Sequence, residues 1–171
     1  MSYIIGAVCC AVLVFADQFT KWLAVTRLQP IRFRPFIPGF IEFRYHTNAG
    51  AAFGIMQGGR WVFLAFTAVV LGAMVYFYIK LPKNRLSGFT RALMAVIAAG
   101  ALGNGIDRFR QGYVVDFLNF EFINFPVFNV ADMYIVCGTI LLSVLILFFY
   151  KEDPAKKKGK PGDDAADNGR P

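Results

Sequence analysis

Residues 127–150 read "VFNVADMYIVCGTILLSVLILFFY". Twenty-four residues carry a single charge, Asp132, and a second polar group, Asn129, three positions before it. The run exceeds the roughly 20 residues that a helix needs to cross about 30 Å of hydrocarbon. A carboxylate in such a segment costs about 2.5–3.5 kcal/mol on insertion scales. The stretch therefore predicts a membrane span, and its acid needs a reason.

Three further apolar runs precede it: 3–25, "YIIGAVCCAVLVFADQFTKWLAV"; 61–79, "WVFLAFTAVVLGAMVYFYI"; and 92–106, "ALMAVIAAGALGNGI". The third reaches spanning length only with its polar flanks, about 90–107. Of the 171 residues 57% are apolar, 17% are charged and 19 are Phe, and mean hydropathy is +0.50. Low charge with long apolar runs excludes a soluble domain and predicts one membrane domain over 1–150. Residues 3–16 have the length of a signal-peptide core, but no basic segment precedes them, so cleavage is not expected. Cys9, Cys10 and Cys137 lie inside helical runs and read as small core residues.

With four spans the two termini share a side. That side holds Lys80, Lys83, Arg85, Arg91 and the basic residues of the tail 151–171. The rule that Lys and Arg favour the cytoplasmic side predicts termini inside. The tail, "KEDPAKKKGKPGDDAADNGRP", mixes both charge signs without apolar periodicity and is expected to be disordered. Its basic cluster is suited to anionic lipid heads.

Between the first two spans, "IRFR" and "IEFRYH" alternate apolar and polar residues around Pro38 and Gly39. Period-two alternation across a Pro-Gly turn predicts a hairpin within an outer β-region of about 30–58. One face would carry Ile41, Phe43 and Tyr45, the other Glu42, Arg44 and His46. The loop 107–126 is dense in Phe and Tyr and reads as an interfacial segment. The expected fold is an all-α membrane protein of four transmembrane helices, with a small extracytoplasmic β-cradle or hairpin between helices 1 and 2.

Six acids lie before the tail: Asp17, Glu42, Asp107, Asp116, Glu121 and Asp132. Under the four-span topology Asp17, Asp107, Asp116 and Asp132 converge on one membrane face. Asp17 and Lys21 share a helix face at i,i+4, and read first as an interhelical brace. Asn104, Asp107 and Arg108 share another. Asp132 can cap its own helix or serve chemistry. His46 is the only His, so His-based zinc motifs are absent. Ser2, Ser87 and Ser143 lie in no nucleophile-elbow context. Two carboxyls remain the best-equipped pair. One ionised and one protonated member can hydrolyse a peptide bond. Intramembrane carboxylates also serve proton-coupled transport, and composition alone leaves that alternative open.

"DQFTK" (17–21), "NAGAAFG" (48–54), "GNGIDR" (103–108), "GYVVDF" (112–117) and "FNVAD" (128–132) occur in an order and spacing that resembles the bacterial lipoprotein signal peptidases, signal peptidase II. The resemblance runs from Asp17 through the fourth span. It implies an aspartic endopeptidase of the bacterial inner membrane, with both termini cytoplasmic and the active site near the outer face. Its substrate is a diacylglyceryl-prolipoprotein cut just before the lipidated Cys. Its other partners are membrane lipid and globomycin-like inhibitors. It is expected to be a monomer without metal, organic cofactor or nucleic acid. It assigns catalysis to Asp116 and Asp132, support and substrate binding to Asn48, Asn104, Arg108 and Asn129, and structural polar roles to Asp17, Lys21 and Asp107. Asp132 is then placed for Asp116 rather than for capping, with Asn129 one turn away to hold it. Phe117, Phe120, Phe122, Phe125 and Phe128 would pack on acyl chains or anchor the interface. Gly105, where the family has a larger apolar residue, and Met133, where a small one is common, depart from the pattern. A small proton-coupled transporter and a non-catalytic assembly scaffold are the competing readings.

Overall fold

A computed structural model describes residues 3–50, 58–82 and 84–149. The tail 151–171, and positions 51–57 of the predicted β-region, lie outside the described residues. Among the described residues four helices are long and apolar enough to cross a membrane. They are α1 (Tyr3–Leu23), α2 (Arg60–Lys80), α3 (Arg85–Gln111) and α4 (Val130–Phe149). A π-helical turn, Ala24–Leu28, continues α1.

The helices are apolar outside and polar inside. On α1, Ile4, Val8, Val12, Phe15 and Phe19 are exposed, while Gly6, Asp17 and Lys21 are buried. That inversion is what a bilayer selects, because lipid solvates apolar side chains and only the protein interior can partner a charge. α3 is the central helix and packs against each of the other three. Apart from Met94 its buried residues are small or polar, including Ala99, Gly100, Gly103, Asn104 and Asp107.

α3 runs 27 residues, well past the 90–107 read from hydropathy. The polar flanks that lower its hydropathy are themselves helical. The Asn84 side chain caps its start by accepting the Ser87 N–H at 2.8 Å. Gly112, at φ +85°, ends it in the left-handed conformation that glycine adopts without a Cβ clash. The Gly100 and Gly138 positions leave no space for a Cβ, against Ala131 and Ile135 in one case and Ile97 in the other. These contacts hold α3 close to α4.

At one end of the bundle sits a three-stranded antiparallel sheet in the order β1 (Phe33–Ile37), β2 (Ile41–Asn48), β3 (Val114–Phe120). The hairpin between helices 1 and 2 is present, turning at Gly39 with φ +74°. The third strand was not anticipated. "VVDF" is buried at all four positions, so it lacks the period-two pattern that marks a half-exposed strand. Its outer edge is covered where Phe117 and Leu118 N–H groups donate to the Phe128 carbonyl. Glu42, expected on a solvated face, is buried. It accepts from Arg44 Nε at 2.5 Å and Asn119 Nδ2 at 2.9 Å.

Candidate active site

The sheet register brings the first acid into place. In β2–β3 pairing His46 lies opposite Asp116 and Asn48 opposite Val114. Asn48 is thus the diagonal neighbour of Asp116 on one sheet face, and its Nδ2 donates to Asp116 Oδ2 at 3.2 Å. Asp116 is 1% exposed.

The second acid belongs to the start of α4. The chain stays extended to Asn129, which caps the helix. Asn129 Oδ1 accepts the Asp132 N–H at 3.0 Å, and Asp132 Oδ2 accepts the Asn129 N–H at 3.0 Å. This is a reciprocal capping box. Asp132 therefore does cap its helix, contrary to the choice drawn from resemblance. Its second oxygen, Oδ1, accepts from Asn104 Nδ2 at 2.7 Å.

Asn129 joins the two acids. Its Nδ2 donates to Asp116 Oδ1 at 2.6 Å and to Asn104 Oδ1 at 3.1 Å. Asn129 is fully buried, so these bonds are made in a medium where donors act strongly. Burial, and then the Asp132 charge, push the Asp116 carboxyl up to about 7. The Asn129 and Asn48 amides and the more distant Lys21 oppose that rise.

Behind this pair lies a second polar group. Lys21 Nζ stands 3.0 Å from Asp17 Oδ2 and 3.0 Å from Asp107 Oδ2. It also donates to Asn104 Oδ1 at 2.8 Å. Asp17 Oδ1 accepts the Ala131 N–H at 3.0 Å, which ties α1 to the start of α4. Asp107 Oδ2 accepts the Val115 N–H at 3.2 Å, which ties α3 to β3. The Asp17–Lys21 brace thus joins three helices. Gln18 was not singled out from sequence. Its Nε2 donates to Asp107 Oδ1 at 3.0 Å and to the Gly103 carbonyl at 3.1 Å. The available signal was its i,i+3 spacing from Lys21, which places both on one face.

Among the described residues Arg108 makes no ion pair with the carboxylates. Its Nη2 donates to the Gly50 carbonyl at 3.1 Å, and its guanidinium lies 4.8 Å from the centre of the Phe63 ring. Asn48, Arg108, Asp116 and Asp132 all line one cavity of about 680 Å³, whose other walls are mainly apolar. Phe36, Phe43, Phe120, Phe125 and Phe128 are among them, as is the half-exposed Met133. Phe117 is instead buried in the core beside Val115, and Phe122 stacks on Phe40 at 4.6 Å. Among the described residues no group of three His, Cys, Asp or Glu side chains is arranged to hold a metal ion. The site offers two carboxyls joined through one asparagine, at the mouth of an apolar groove.

Residues 9–148 match the family model described as Signal peptidase (SPase) II. A lipoprotein signal peptidase of Caldanaerobacter subterraneus subsp. tengcongensis is 50% identical over 139 residues, 81% of this chain and 92% of that protein. One from Brevibacillus brevis is 45% identical over 140 residues, 80% of this chain and 91% of that protein. A bacterial membrane enzyme solved by the in meso method is similar with a TM-score of 0.79 and 35% identity. The match covers 88% of this chain and 94% of that one.

Proposed function

The chain belongs to the signal peptidase II family, and from that premise we propose that Asp116 and Asp132 are the catalytic pair with which it removes the signal peptide from diacylglyceryl-modified prolipoproteins. It is a membrane peptidase of aspartic type, and the proton-coupled transporter is not favoured. The observation that carries the assignment is Asn129, which bonds both carboxyls from one residue, Asp116 through its side-chain Nδ2 and Asp132 through its backbone N–H.

Asp116 holds a proton up to about pH 7. Asp132, with both oxygens accepting and the positive end of α4 beneath it, acts as the general base. Asp132 takes a proton from the attacking water as the water oxygen bonds to the scissile carbonyl carbon. Asp116 gives its proton to the carbonyl oxygen, forming a tetrahedral diol. On collapse Asp116 recovers that proton. The C–N bond breaks and the leaving amine takes its proton from Asp132. Each carboxyl returns to its starting state. Asn48 and Asn129 hold Asp116, Asn104 holds Asp132, and Arg108 meets the substrate backbone.

The cleavage point is just before the lipidated Cys, with the acyl chains in the apolar cavity beside the acids. The enzyme sits in the bacterial inner membrane as a monomer. Its sheet faces outward, and Lys80, Arg85 and Arg91 mark the cytoplasmic end. A globomycin-like cyclic peptide would compete for the same cavity. The test is to express Asp116→Asn and Asp132→Asn separately in a strain lacking its own activity and to follow prolipoprotein processing on gels. Each variant should lose at least about 10³-fold in rate, as general acid–base catalysis together with water activation predicts. Full processing by either sinks the mechanism.

A further inference from the structure

Asp132 stands between two grooves, not beside one. The first is the 680 Å³ cavity under the sheet, bounded by Phe36, Phe120 and Phe125. On α4 it reaches down only to Cys137, about 7.5 Å past Asp132 at 1.5 Å per residue. The second opens on the other side of α4. There α2 and α4 both pack on α3 and leave a gap between them. A cavity of about 280 Å³ borders Asn104, Arg108 and Asp132. A second, of about 540 Å³, continues away from the acids. Val70 and Ile97 line both, so the two form one groove. Along α2 it runs from Phe63 to Leu81, about 27 Å at the helical rise. Asp132 and Arg108 line both grooves.

We propose that the α2–α4 groove seats the apolar, membrane-spanning helix of the signal peptide, while the lipid-bearing side of the cleavage point occupies the groove under the sheet. This rests on the peptidase reading above. Length decides between the grooves. A segment that spans about 30 Å of hydrocarbon outruns the first groove and matches the second. The polarity of the second groove agrees. Asn104, Arg108 and Asp132 cluster at its acid end, where the peptide must leave its helix and extend to be cut. The long remainder presents aliphatic and aromatic walls. Helix association within lipid relies on shape and close packing, and α2, which buries no residue within the protein, has a free face to give. The substrate then crosses α4 at Asp132.

The test compares Val70→Trp, which fills the junction of the two cavities, with Val69→Trp, whose side chain is 70% exposed and lines neither groove. Each full-length protein is reconstituted in vesicles with two substrates. One is a complete diacylated prolipoprotein, and the other a diacylated peptide that stops short of the apolar segment. Val70→Trp should lower kcat/KM for the complete substrate about tenfold relative to the short one, through KM, as loss of uniform binding predicts. Val69→Trp should keep the wild-type ratio. A photoreactive residue at position 70 in an Asp116→Asn background should cross-link to the apolar segment of bound precursor. An unchanged ratio in Val70→Trp, or cross-links to bilayer lipid alone, overturns the assignment and leaves the groove to acyl chains. Failure of the wild-type protein to cut either substrate overturns the peptidase reading, and the assignment with it.

Discussion

Two pairs of carboxylates meet in this bundle, and they are treated oppositely. Asp17 and Asp107 share the buried Lys21 ammonium at 3.0 Å each, with Gln18 bonded to both. Asp116 and Asp132 are held by the amides of Asn48, Asn104 and Asn129 and by one backbone N–H. Among the described residues neither takes part in an ion pair. A cation at contact distance offsets part of the cost of burying a carboxylate and fixes it as structure. An amide fixes position without supplying a full charge, so burial and the neighbouring Asp132 still push the Asp116 carboxyl up. Asn104 is the spacer between the regimes. Its Oδ1 accepts from Lys21 and Asn129, which leaves its Nδ2 to face Asp132.

The sharpest way to break that contrast is Lys21→Met. It leaves Asp17 and Asp107 buried without their counter-ion and should cost about 3–5 kcal/mol of stability. Thermal unfolding in detergent would register it as a large fall in Tm. Wild-type stability in this variant would mean that charge does not hold the first pair.

A smaller effect is expected in the second pair. Asn48→Ala removes a donor that restrains Asp116, so the carboxyl rises further above its ordinary value. Activity that needs protonated Asp116 is lost as pH rises through about 7 in the wild type, and in the variant the loss moves to higher pH. On the acid side of that limb the plateau rate should fall about tenfold, because Asp116 loses a hydrogen bond that positions it. Stability follows the same sign. A raised carboxyl favours the folded state below the unfolded value near 3.8, and that advantage is lost as pH climbs to about 7. A pH–rate profile whose alkaline limb stays in place in Asn48→Ala would remove Asn48 from the control of Asp116.

The contrast also explains what the sequence did and did not disclose. The spans 61–79 and 127–150 were legible because apolar length is nearly sufficient for a membrane helix. The extent of α3 was not, because hydropathy falls where a central helix turns polar residues inward. β3 was hidden for a similar reason, since burial on both faces erases alternation at Val114–Phe117. The convergence of Asp17, Asp107, Asp116 and Asp132 followed from topology alone. Their division into two pairs did not follow from it. That Asp17 meets Lys21 is legible in their i,i+4 spacing, but that Asp107 joins them depends on a side-chain contact between α1 and α3, which has no periodic trace. Capping and the proposed chemistry are not exclusive at Asp132, because a capping box and a catalytic carboxyl can use the same position at the positive end of α4.

The least effect is expected at the residue beside the spacer. Gly105 departs from the family's larger residue, and a Cβ there would meet only Thr67 Cγ2 at 3.4 Å, an ordinary contact. Gly103, two residues earlier, has no such room, since a Cβ would collide with the Asp17 carboxylate. The first pair is therefore packed to its limit on one face of α3, while the face toward α2 has slack. Gly105→Ala removes a glycine's conformational freedom from mid-helix and should stabilise by about 0.5–1 kcal/mol. Because the added methyl points at Thr67 and away from both carboxylate pairs, kcat should stay at the wild-type value while Tm rises slightly. A fall in Tm would show that α2 sits against α3 as tightly as α1 does. The slack would then be absent from the side of the bundle where the second groove opens.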